Sequence, residues 1–88
     1  MPKENEILRQ AILEVINNQI RDNDPPETRQ TYERLRNEGF SKKETLKLIG
    51  NVVASEVFAV LKENRKYDND KYIAALKALP DLPWDEKD

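Results

Sequence analysis

The sequence contains no cysteine and no histidine. Without cysteine there is no disulfide framework and no thiolate nucleophile. Without histidine the chain lacks the side chain that most often serves as a general base near neutral pH and as a metal ligand. Zinc sites of the Cys/His type are therefore excluded, and only carboxylate sites for hard ions remain open. Glycine is scarce, at two of 88 residues, and neither sits in a loop that could cradle phosphate. Long apolar runs are missing too. The central uncharged stretch, residues 48–55, falls far short of the roughly 20 residues that span a bilayer. Met1-Pro2-Lys3-Glu4 leads into no signal-peptide core. The expectation is a cytoplasmic protein with no membrane association. An excess of charge of one sign is also absent. Net charge is −2 although 36% of residues are charged, which describes a mixed, solvated surface rather than a nucleic-acid or membrane footprint.

What is present is helical periodicity. Two glycines and five prolines divide the chain into four segments. In the first, Ile7, Leu8, Ala11, Ile12, Val15, Ile16 and Ile20 recur at helical spacing and fill a broad arc. Gln10, Glu14, Asn17 and Arg21 form a narrow wet face, so burial of more than half the circumference is expected. Asp24 reads as the N-cap of a second helix with Pro25 at its first position and Glu27 at the positive end of its dipole. Its apolar stripe is thin (Thr28, Thr31, Tyr32, Leu35), which places it on the outside of the fold. Gly39 suits the left-handed position after a helix, with Phe40 as hydrophobic anchor. Ser41 and Glu44 have the spacing of a capping box.

The third segment is the most apolar, with Leu46, Ile49, Val52, Val53, Val57, Phe58, Val60 and Leu61 spread beyond one stripe. Such a helix belongs at the centre of a bundle or partly at a subunit interface. Gly50 and Ala54, four apart, suit close helix packing. Asp68 or Asn69 caps a short fourth helix whose inner stripe is Tyr72, Ala75, Leu76 and Leu79, and Pro80 and Pro83 stop it. Leu82 and Trp84 are expected to fold back over a core edge, with residues 85–88 frayed. The fold class predicted is all-α: one domain over 1–88, a compact bundle of four helices at roughly 5–22, 25–38, 42–63 and 69–79, with the first and third as its hydrophobic centre.

Three sets of residues invite chemistry. Glu56 falls among apolar neighbours on the third helix, while Gln19 lies within the first helix's apolar arc and Arg9 near its edge. A buried carboxylate requires a partner, so Arg9, Gln19 and Glu56 form a candidate buried polar cluster. It reads either as a pocket or as a contact fixing helix register, and the second reading is the stronger. Arg29, Arg34, Arg36, Lys42 and Lys43 form a candidate basic patch around a helix–glycine–helix turn. That arrangement resembles a DNA-binding motif only loosely, because Arg34 and Glu38 occupy places where such a turn packs apolar side chains. A nucleic-acid-binding accessory protein is thus the alternative reading. Asp22 with Asp24, and Asp68 with Asp70, lack the glycine and closing glutamate of a calcium loop and read as helix caps. No set of residues satisfies the geometry of a reaction class, so neither catalysis nor a cofactor or metal is expected.

Asn18-Gln19, Asp24-Pro25-Pro26-Glu27-Thr28-Arg29, Arg34-Leu35, Glu38-Gly39-Phe40-Ser41, Ile49-Gly50 with Ala54-Ser55-Glu56, Tyr72-Ile73-Ala74-Ala75-Leu76 and Leu79-Pro80 stand in series along the chain. Together they resemble a bacterial domain-of-unknown-function family of short helical proteins, whose pattern runs N-Q-L, D-P-P-E, a G-Y-S turn and a helix rich in alanine and glutamate. The likeness covers most of residues 15–80. It implies a helical fold in a bacterial or archaeal cytoplasm and no activity. Members carry histidines four apart in the first helix, where this chain has Arg9 and Leu13. Any function of those histidines would be lost here. The reading that results is a non-enzymatic protein-interaction or scaffolding module, with a protein partner or a homodimer as its assembly.

Overall fold

The computed structural model describes residues 3–82, and side chains from residue 6 onward. Four helices account for nearly all of it: α1 (Lys3–Asp22), α2 (Pro26–Asn37), α3 (Lys42–Glu63) and α4 (Asn69–Ala78). No strand occurs among the described residues. The protein is an all-α four-helix bundle. Trp84 and residues 85–88 lie outside the described residues, whereas Leu82 packs against the core.

The boundaries follow from local chemistry. α2 begins one residue later than the sequence reading, with Pro25 rather than Asp24 at the N-cap and Pro26 just inside the helix. Proline needs no hydrogen-bond partner at the first helical position, so either proline of the pair could fill it. At the other end the Phe40 N–H donates to the Leu35 carbonyl (3.2 Å) and the Gly39 N–H to that of Arg36 (3.1 Å). This is a Schellman closure, and it needs the left-handed φ of 104° that Gly39 adopts. The Ser41 hydroxyl then accepts from the Glu44 N–H (3.0 Å), while the Glu44 carboxylate accepts from the Ser41 N–H (2.9 Å). α3 ends on Asn64, itself left-handed, after which the Arg65 N–H returns to the Val60 carbonyl (3.2 Å). Asp68 caps α4 by accepting from the Lys71 N–H (3.1 Å).

The core joins Ile16 of α1, Leu35 of α2, Ile49, Val52 and Val53 of α3, and Tyr72 and Leu76 of α4, closed by Leu79. Two expectations change. α2 does not lie outside, because it packs against α1, α3 and α4 alike. Its thin apolar stripe is suited to that place. Thr28 and Thr31, with Thr45 of α3, are buried and small enough to let helix backbones approach. α1 still brings Ile12, Ile16 and Ile20 to the core around α3, where α2 brings Tyr32 and Leu35. α1 in turn is less covered than its arc predicts. It packs against α2 and α3 but not α4. Glu6 to Ala11 are all exposed, Arg9 included, so the bundle leaves the first described turns largely uncovered.

Candidate functional site

Gly50 is the notch at which α1 crosses α3. A Cβ there would stand 3.3 Å from Ile12 Cγ2 and 3.8 Å from Ile16 Cδ1. Beyond this crossing a groove of about 310 Å³ opens between the helices, walled by Val15, Val53, Val57, Val60 and Leu61 and floored by Gln19, Glu56, Tyr67 and Tyr72. Contacts ascend together, Ile12 and Ile16 with Gly50, then Val15 and Gln19 with Val53 to Val60. The two helices thus run in the same sense along the groove.

The polar groups at its floor are consumed by the fold. Glu56 is buried, as its place among valines implied. Neither Arg9 nor Gln19 is its partner. Arg65 is, in a bidentate pair with Nη1 donating to Oε2 (3.0 Å) and Nη2 to Oε1 (3.2 Å). The Asp68 N–H adds a third hydrogen bond to Oε2 (3.0 Å). The Arg65 guanidinium holds the Glu56 carboxyl below the usual carboxylate range, against the opposing effect of burial. Arg65 also donates to Glu63 (2.7 Å) and to the Lys66 carbonyl (2.9 Å). The whole set fastens the end of α3 to the start of α4.

Gln19 belongs to a second network. Its carboxamide oxygen accepts from Thr28 Oγ1 and from the Tyr72 hydroxyl, both at 2.8 Å. This bond is how α4 reaches α1, two helices that do not otherwise pack together. Burial raises the Tyr72 phenol above its ordinary pKa. Tyr67, tilted against Tyr72 with ring centroids 5.9 Å apart, is pushed up to about 12, first by burial and then by Tyr72 and Glu56 nearby. Its hydroxyl donates to Asn69 (2.8 Å).

Arg9 is separate from both networks. Its side chain is 58% exposed and stands 3.9 Å from Glu6 one turn away. It misses the interior because the bundle leaves the first turns of α1 uncovered. Arg65 and Tyr72, which do the pairing, left only weak signals in the sequence. Arg65 follows the helix stop at Asn64, and only the left-handed turn there folds it back beside Glu56.

The basic residues share no single face free of acids. Arg34 is committed to Glu38 (3.1 Å) and to the Leu76 carbonyl at the end of α4 (3.2 Å). Arg36 and Lys42 border an open depression with Tyr32, Glu33 and Asn37, and Arg29 and Lys43 are exposed elsewhere on α2 and α3. Among the described residues no group of three or more acidic side chains could hold a metal ion, and no helix is long and apolar enough to cross a membrane.

No protein-family model, curated protein or solved structure matches this chain. The resemblance to the bacterial helical family therefore rests on the quoted motifs alone.

What distinguishes the groove is its rim. Phe58 is 67% and Leu61 75% exposed on α3, and Ile7 65% exposed on α1, with Leu8, Val15 and Val57 also open to solvent. On α1 the stripe Ile7, Leu8, Ala11, Val15 runs without a charged residue into the groove. On α3, Val57, Phe58 and Leu61 form one exposed patch. The arrangement offers apolar contact over an extended surface. It offers no free carboxylate within the groove, since Glu56 is held by Arg65 and Asp68, and the Gln19 carboxamide oxygen and both tyrosine hydroxyls are hydrogen-bonded within the chain.

Proposed function

We propose that the protein is a small interaction module that works by protein contact through the α1/α3 face and carries out no chemistry of its own. The observation that supports this is the apolar rim. Large side chains stay in water on both sides of a groove whose carboxylate, carboxamide oxygen and phenol hydroxyls are hydrogen-bonded within the chain. A monomer gains nothing from leaving Phe58 and Leu61 outside when burial stabilises each such side chain by roughly 1.5–3 kcal/mol. A surface of this kind marks a place where another protein sits. A nucleic-acid partner is less well supported, because Glu33, Glu38 and Glu44 interrupt the basic residues and Arg34 is held by the fold.

Proximity labelling in the cells that make the protein tests the proposal. Neighbours labelled by the wild-type chain should be lost with Leu61→Glu and kept with Lys77→Glu, an exposed change on α4. An identical set of neighbours for all three chains would remove the α1/α3 face from consideration.

A further inference from the structure

Resting on the reading of the α1/α3 face as a contact surface, we infer that its occupant is a second copy of this chain, related by a two-fold axis that sets the exposed start of each α1 into the groove of the other. Three observations lead there. The first is area. Among the described residues seven large apolar side chains stand exposed, all on α1, α3 or the Tyr67 turn. At their exposures they put on the order of 700 Å² in water. Spread over α1, α3 and the Tyr67 turn, that is a large apolar exposure for a chain of 88 residues. It approaches the roughly 800 Å² that each side of a standard interface covers. The apolar surface also continues well past the groove, so a small ligand filling about 310 Å³ would leave most of it wet.

The second observation is shape. One face carries both exposed apolar side chains and a recess. Ile7 and Leu8 stand on the uncovered first turns of α1, and the recess lies further along the same helix, from Val15 to Gln19. A two-fold contact joins a patch to itself, so each part must find its complement elsewhere on that patch. From Leu8 to Gln19 is about 16 Å along a helix. Two α1 helices packed antiparallel about a point midway between those residues bring Leu8 of each copy to the level of the other's Gln19. The same pairing brings the exposed Val15 of each copy to the level of the other's Ile12, one residue from the small Ala11. It also brings exposed Glu6 to the level of the partner's exposed Arg21.

The third is the state of the groove floor. Glu56 and Gln19 are already hydrogen-bonded within the chain. The Glu56 carboxylate and the Gln19 carboxamide oxygen therefore need no hydrogen bond from water when an apolar side chain enters. The incoming Leu8 has no role in the monomer's core, so docking requires no rearrangement of the bundle.

The test is sedimentation velocity on the full chain over a hundredfold concentration range at physiological salt. Variants Leu8→Glu and Leu61→Glu are run in parallel, with circular dichroism to check that helicity and melting are unchanged. The expected result is a concentration-dependent doubling of mass that each substitution weakens at least tenfold. Because the chain has no cysteine, Leu8→Cys mixed with Leu61→Cys gives a clean register probe. A short bismaleimide should join the mixed pair faster than either variant with itself. A strict monomer across the range would overturn the inference, as would a dimer indifferent to both glutamates. The two failures separate cleanly. A monomer whose cellular neighbours still depend on Leu61 means a different protein occupies the face. A monomer without such neighbours removes the contact reading as well.

Discussion

At the residue scale the decisive group is Glu56. A carboxylate among Val52, Val53 and Val60 was legible in the sequence as a charge needing a partner, and the structure buries it. Its partner was not legible. Helical spacing places residues on the same or facing helices, and Arg65 is on neither. It lies past Asn64, where a left-handed backbone turns the chain back on itself. Nothing in residue type announces that return. The energetics follow from the geometry. Arg65→Ala leaves Glu56 buried with one hydrogen bond, from Asp68, and should be the more destabilising of the two substitutions of the pair. Glu56→Gln leaves Arg65 able to reach water and Glu63, and should cost less, about 1–2 kcal/mol. Denaturant unfolding at neutral pH would check the order. The pair also sets an acid limit. Because Glu56 has a lower pKa folded than unfolded, its contribution is complete above the unfolded value and fades as pH falls through the folded one. Melting temperature should therefore fall from about pH 5 downward in the wild type and less steeply in Glu56→Gln.

At the element scale, the helix ends were the most readable features. The Gly39 closure, the Ser41–Glu44 box and the Asp68 cap follow from three short patterns, because a cap is decided by residues within one turn of each other. The placing of helices was harder to read. α2 has few apolar residues and so resembles a surface helix, yet its buried threonines put it in contact with all three others. Small side chains permit close approach, which a hydrophobic count does not register. α1 shows the reverse. Its apolar arc is wide, but nothing in the bundle lies beneath its first turns. The contact between α1 and α3 hangs on Gly50. Gly50→Ala should gain about 1 kcal/mol in helix preference. It must also displace Ile12 Cγ2, a methyl fixed close to the backbone and only 3.3 Å away. Overpacking of about 1–3 kcal/mol should win. The expected result is a net loss of up to about 2 kcal/mol, read by thermal melting.

At the scale of the whole molecule, stability should be uneven. Leu35, Ile49 and Leu76 are wholly buried where three helices meet, and Leu35→Ala should cost about 2–5 kcal/mol as a global loss. The first turns of α1 share none of that protection. Amide hydrogen exchange at low concentration should show residues 6–11 exchanging fast, α2 and the middle of α3 slowest, and α4 between them. Protection of 6–11 that grows with protein concentration would accompany self-association. Uniform protection along α1 in dilute solution would mean that the first turns are held within the monomer.

The seat that α1 takes at Gly50 has a consequence for how the chain is made. Synthesis delivers α1 first, at roughly 5–20 residues per second, and delivers the notch that receives Ile12 and Ile16 only when α3 emerges. Until then the broadest greasy surface of the newborn chain has only α2 to shelter it. The ribosome therefore releases a helix with a broad apolar arc well before its berth exists.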